Sequence, residues 1–102
     1  MSDKITVVID KELRDLVPDF LQRRIDDVET IKSALTIGDF RTIETLGHNM
    51  KGSGAGYGFR EISRIGAEIE AEAIARRTET IMACLQALEH FVKHVHVEYE
   101  SL

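Results

Sequence analysis

The sequence predicts an all-α protein, an antiparallel up-down-up-down four-helix bundle with a short extra helix at its N-terminus. Two observations support this fold class. Apolar residues recur at steps of three and four along most of the 102 residues, and alternation with the period of a strand is nearly absent. The connection at Gly38-Asp39 is very short, which favours antiparallel packing of the two helices that it joins. We expect one domain over 1–102, with an arm and a short helix over 1–17 and the bundle over 18–97.

The N-terminal segment contains a β-branched apolar run over residues 5–9. With no second strand to pair with, this run is expected to be an extended arm lying on the body. Asp10 can cap the short extra helix. Its apolar residues are Leu13, Leu16 and Val17. Pro18 then suits the first position of the first bundle helix.

The first bundle helix is predicted from a single apolar stripe. Its residues are Leu21, Ile25, Val28, Ile31 and Leu35. Gly38 can end this helix in the left-handed conformation, and Asp39 can cap the next one.

The second bundle helix contains a glycine-rich run that helix propensity alone would exclude. The core stripe nevertheless continues through it at helical steps. The stripe is Phe40, Ile43, Gly47, Met50, Gly54 and Tyr57. We therefore predict a helix that continues to about Tyr57 and a turn at Gly58.

The third and fourth bundle helices are separated by a polar break at residues 76–78, where Thr78 is the expected cap. The third begins near Phe59, and its stripe is Ile62, Ile65, Gly66, Ile69 and Ala73. The stripe of the fourth is Ile81, Leu85, Leu88, Val92 and Val95, widened by Cys84 and Phe91. Cys84 is thus expected to be a buried, inert thiol.

Composition narrows the classes of function. A formal net charge of −5 argues against a nucleic-acid partner. One cysteine permits no internal disulfide and fits a reducing compartment. Residues 1–4 hold no signal-peptide core, and no apolar run approaches the roughly 18 residues of a membrane span. We expect a cytoplasmic protein with no membrane contact.

His48 is the candidate reactive residue. Rotation by about 100° per residue places it at the edge of the bundle, beside the core position Gly47. Lys51 lies one turn later on the same side, and Gly52 leaves a bare patch of backbone beyond it. A neutral imidazole is a competent nucleophile near pH 7, and phosphoryl transfer requires access and nearby positive charge. On spacing alone, an ordinary surface histidine remains the alternative.

The pattern His48-x-x-Lys51-Gly52-Ser53, followed by Gly58-Phe59 and a helix through Ile69-Glu70, resembles the histidine-containing phosphotransfer (HPt) domain of two-component phosphorelays. The resemblance extends from about Pro18 to Val95. It implies a four-helix bundle whose exposed histidine takes a phosphoryl group from a receiver-domain aspartate, or from a kinase, and passes it to another receiver. Met50 stands where many members have leucine, a volume-conserving exchange.

The resemblance also implies roles for individual residues. His48 matches the phospho-acceptor, Lys51 the lysine that steadies the phosphoryl group, and Gly52 the glycine that gives a partner clearance. In some members a glutamate in the next helix bonds the histidine. Glu70 either takes that place or is a solvated carboxylate beside Arg64 or Arg77. The implied protein is a relay intermediate and not an enzyme, a monomer with response-regulator receivers or a histidine kinase as its partners.

The sequence leaves two other functions open. A bundle of this fold could act only as a binding module, although the intact His48, Lys51 and Gly52 argue against it. His90 and His94, with His96 nearby, could share a metal ion, but two ligands do not close a site and a solvated face is expected. The glycine run is not a P-loop, because Lys51 precedes the glycines. We expect no cofactor and no metal.

Overall fold

The computed structural model of the chain describes residues 5–102, so the first four residues of the predicted arm lie outside it. Four α-helices account for most of the described residues: α1 (Val17–Thr36), α2 (Phe40–Tyr57), α3 (Arg60–Ile74) and α4 (Thr78–His94). Two strands, β1 (Ile5–Asp10) and β2 (Val95–Glu100), flank them. None of the described helices is long and apolar enough to span a membrane.

The helices meet around one apolar core made mostly of the predicted stripes. Ile43 and Met50 of α2, Ile65 of α3 and Leu88 of α4 are at most 1% exposed. Phe59, in the α2–α3 connection, is fully buried. Its ring is stacked 5.5 Å from Phe20 of α1. This packing holds the helices in fixed positions, which a surface site on α2 and α3 requires.

The turns that separate the helices follow the predicted chemistry at three places. Gly38 and Gly58 adopt φ values of 70° and 93°, in the left-handed region that glycine enters without steric cost. The carboxylate of Asp39 accepts a hydrogen bond from the backbone N–H of Thr42 and caps α2. The prediction for Thr78 was wrong. Arg77 occupies the cap position, and Thr78 is the first helical residue.

The predicted extra N-terminal helix was also wrong. Residues Lys11–Leu13 form a single 3-10 turn, and α1 begins at Val17, one residue before Pro18. Asp10 does cap the turn, since its side chain accepts a hydrogen bond from the backbone N–H of Glu12. Three residues are too few for the i to i+4 bonds that an α-helix needs.

The predicted arm is a paired strand. β1 and β2 form a parallel two-stranded sheet in which Ile5 is opposite Val95 and Asp10 is opposite Glu100. Val95 therefore begins a strand and does not extend the last helix, which ends at His94. Burial alternates along both strands, with Ile9 fully inside, so the sheet covers the core with one apolar face.

Candidate functional site

Three glycines bring the backbones of α2 and α3 into direct contact. A methyl group added at Gly47 would lie 2.6 Å from the backbone nitrogen of Glu70. The same addition at Gly54 or Gly66 would lie 2.6 Å from the backbone nitrogen of Ser63 or Lys51, respectively. Real side chains are not accommodated at such distances, so these positions require glycine. These contacts fix the register of the two helices, that is, the position of α3 along the axis of α2.

This register places Glu70 opposite His48. Because Gly47 lies against the backbone of Glu70, the next side chain of α2 projects beside the carboxylate. Nδ1 of His48 is 3.0 Å from Oε2 of Glu70. The side chain of His48 is 64% exposed and that of Glu70 is 21% exposed. The histidine thus stands out from the bundle while one of its nitrogens is held.

The contact determines which ring nitrogen is available. An ionised carboxylate only accepts hydrogen bonds. Nδ1 of His48 therefore carries the proton and donates a hydrogen bond to Glu70. In the neutral imidazole the lone pair is then on Nε2. Of the two alternatives given above for Glu70, the contact with His48 is the one observed. Arg64 instead pairs with Glu61 and Glu68, and Arg77 pairs with Glu72.

Lys51 shares the same carboxylate. Its Nζ is 3.2 Å from Oε1 of Glu70, so the two oxygens of Glu70 bridge His48 and Lys51. The hydrogen bond from Lys51 is the largest of the effects that hold the pKa of Glu70 below its usual range, and His48 adds to it. Glu70 therefore remains ionised at neutral pH. Lys51 is 44% exposed, so its ammonium group also reaches solvent next to the histidine.

Gly52 differs from the packed glycines. A methyl group added there would meet no atom within 4 Å, and the same holds for Gly56. Gly52 is exposed, one turn after His48 on the same helix. No packing requirement in the described structure explains a glycine at this position, and Gly52 adds no side chain to the surface beside the histidine.

Two supports of the site were not predicted from the sequence. The hydroxyl of Ser63 in α3 donates a 2.8 Å hydrogen bond to the carbonyl oxygen of Lys51. In α1, Arg24 donates to the hydroxyl of Ser53 at 3.1 Å, and it also lies 2.9 Å from Asp27. These bonds tie both neighbouring helices to the turn of α2 that follows His48. In the sequence these bonds are indicated only by Ser53 and Ser63. Serines on helices are too common for such a contact to be predicted from them.

The other candidate residues lie away from this site. The rings of His90 and His94 are stacked with their centroids 4.2 Å apart, and Nδ1 of His94 lies 2.8 Å from the carbonyl oxygen of His90. Over residues 5–102, no three histidine, cysteine or acidic side chains are grouped closely enough to hold a metal ion. Cys84 is buried in the core as predicted, and burial raises its pKa to about 11.

Comparison with known proteins adds a family assignment. The family model described as Hpt domain matches residues 15–100, which include all four helices and β2 but not β1. Searches of curated proteins and of solved structures gave no significant match.

Proposed function

The chain belongs to the Hpt domain family, whose members transfer phosphoryl groups on histidine in two-component systems, and on this premise we propose that His48 is the residue that is phosphorylated. The observation that carries the proposal is the bond between Nδ1 of His48 and Glu70. It leaves the exposed Nε2 as the nucleophile. His90, His94 and His96 are also exposed, but no carboxylate among the described residues pairs with them.

In the proposed step, the lone pair of Nε2 attacks the phosphorus of an aspartyl phosphate on a receiver domain. The new N–P bond forms as the bond from phosphorus to the aspartate oxygen breaks, and the aspartate leaves as a free carboxylate. Nδ1 keeps its proton, so the phosphorylated ring carries a positive charge. Glu70, ionised and 3.0 Å away, offsets that charge. The same step run in reverse, with the aspartate of a second receiver as the acceptor, passes the phosphoryl group on.

Lys51 and Gly52 are proposed to serve the transfer in different ways. Lys51 exchanges part of its contact with Glu70 for the phosphoryl oxygens, since its exposed ammonium is next to the ring. Gly52 leaves the surface clear for the receiver. The receiver supplies the acidic pocket and the divalent cation, so this chain needs no cofactor and acts as a relay intermediate, not as an enzyme.

The partners proposed are response-regulator receivers, with or without a histidine kinase. Docking would use the exposed flank of α2 and the adjacent flank of α1, in a bundle whose helices alternate in direction. We propose a cytoplasmic monomer, with no nucleic-acid or membrane partner.

The test is transfer of labelled phosphate from phosphorylated receivers of the same genome. The expected result is an acid-labile label on the wild-type chain that is lost in His48→Gln. His96→Gln is the matched control, because that histidine is also exposed and lies outside the site. Equal labelling of His48→Gln and the wild type would refute the assignment. A chain that binds receivers but is never labelled would be a binding module only.

A further inference from the structure

A wide groove runs along β1 on a part of the surface that the phosphotransfer site does not use. Its volume is about 960 Å³. It is lined by residues 5–8 of β1, which we call its wall, and by Gly58, Arg60 and Glu61 near the start of α3. The part lined by α4, which we call its floor, consists of Ala83, Gln86, Ala87, His90 and Phe91. None of His48, Lys51, Gly52 or Glu70 lines it, so the proposed phosphotransfer leaves this feature without a role.

The groove follows the unpaired edge of β1. Side chains of a strand alternate between two faces, yet four consecutive residues, 5–8, line the groove, which is expected of an edge and not of a face. β1 has one strand neighbour among the described residues, β2, and no residue of β2 lines the groove. The groove therefore lies on the side of β1 opposite β2, where its backbone N–H and C=O groups have no strand partner.

These features select an extended peptide as the occupant. Backbone groups on a free edge are satisfied by another strand, which an apolar small molecule or a helix cannot provide. The floor suits such a strand because Ala83 and Ala87 are small and exposed, and Val8 on the wall is 40% exposed. Side chains of the added strand would alternate between this floor and solvent.

The charged residues that line the groove favour an acidic side chain in the bound segment. Glu61 is already paired with Arg64. Arg60 lines the groove, and no carboxylate among residues 5–102 forms an ion pair with it. An acidic side chain in the bound segment would supply that partner.

We propose that this groove binds an extended segment of a partner protein, which adds to β1 as a third strand. The segment alternates apolar residues toward Ala83 and Ala87 and places one acidic residue at Arg60. Binding at this face does not compete with transfer at His48, so a partner held here can stay bound through a phosphorylation cycle.

The experiment uses a displayed library of random ten-residue peptides, selected on the full chain and counter-selected on Ala87→Glu. Ala87 is exposed, so the glutamate enters the groove without disturbing the core. Ala71→Glu, an exposed alanine on α3 outside the groove, is the matched control. Selected peptides are then resynthesised with alternate backbone nitrogens methylated. Amide shift changes of the labelled protein locate the bound peptide.

The expected peptides alternate apolar residues, contain an acidic residue, and lose about tenfold or more in affinity with Ala87→Glu or with methylation of the paired nitrogens, but not with Ala71→Glu. Amide shifts should change in residues 5–8. Several results would overturn the proposal: no peptide that depends on Ala87, peptides unaffected by either methylation pattern, or shifts confined to other faces. Concentration-dependent dimerisation that Ala87→Glu abolishes would instead identify a second copy as the occupant.

Discussion

Nδ1 of His48 lies 3.0 Å from Oε2 of Glu70, although the two residues are 22 positions apart on different helices. The contact depends on the neighbouring Gly47, where the backbone of Glu70 approaches so closely that a methyl group would not fit. Close packing of two backbones thus orients one imidazole ring. The reactivity proposed for His48 therefore depends on a structural feature that can be perturbed separately from the histidine itself.

Removing the carboxylate should release the ring without removing the nucleophile. In Glu70→Ala we expect Nδ1 and Nε2 to share the proton, and transfer to slow by about threefold to tenfold, because the fixed tautomer is lost. Nitrogen-15 spectra of the imidazole report the tautomer, and single-turnover labelling reports the rate. Glu68→Ala is the control, since Glu68 pairs with Arg64 and not with the site. A ring that keeps its Nδ1 proton in Glu70→Ala would show that Glu70 does not orient it.

The lowered pKa of Glu70 predicts how this contact responds to acid. A carboxyl group whose pKa is lower in the folded state stabilises the fold fully above its unfolded pKa, roughly 4.3 for glutamate, and loses that contribution as pH falls through the folded value. The difference in unfolding free energy between the wild type and Glu70→Gln should therefore shrink below about pH 4.3. Urea titrations at several pH values measure it. A difference that grows toward acid would contradict the assigned direction.

Two glycines in α2 should respond oppositely to the same substitution. Gly47→Ala should destabilise the protein by about 1–3 kcal/mol, because the added methyl would overlap the backbone of α3. Gly52→Ala should stabilise it by roughly 0.5–1 kcal/mol, since the position is open and alanine favours a helix. Urea unfolding measures both. If the two variants changed stability equally, the close approach of α2 and α3 at Gly47 would be in error.

The helices were predictable because each has an apolar stripe with a clear period and a recognisable end. The glycine-rich part of α2 could be predicted as helix because the apolar stripe through Met50 and Gly54 continues almost to Gly58, where the helix ends. The rotation of about 100° per residue along a helix also places His48 at the bundle edge. It cannot place Glu70 beside His48, because that requires the offset between two helices, which depends on three-dimensional packing at the glycines.

The strands were missed for a different reason. A single apolar run at residues 5–9 gives no sign of its partner when that partner is at the other end of the chain. Val95 also fits two patterns, since it is four residues after Phe91 and two before Val97. A helix period and a strand period therefore agree at this residue. The alternation of apolar and polar residues over 95–100 favours the strand, and the pairing of Val95 with Ile5 confirms it.

Cys84 should be unreactive in the folded protein. Its thiol is buried, and the resulting rise of its pKa to about 11 leaves almost no thiolate at pH 8. We expect iodoacetamide at pH 8 to label the native chain at least about a hundredfold more slowly than the urea-unfolded chain. Mass spectrometry follows the labelling. Rapid stoichiometric alkylation under native conditions would mean that this part of the core opens readily.

Clearance at Gly52 can be tested with side chains of increasing size. Gly52→Ala should leave transfer from a phosphorylated receiver nearly unchanged, whereas Gly52→Gln should reduce it by about tenfold or more, because a long side chain one turn from His48 would obstruct an approaching domain. Gly56→Gln is the matched control. Gly56 is equally open, but it is two turns from the histidine, so its variant should retain most of the transfer. Each variant is first checked for helix content and for a melting temperature no lower than that of the wild type. Equal transfer by Gly52→Gln and Gly56→Gln would mean that Gly52 is tolerated at this surface but not needed for docking.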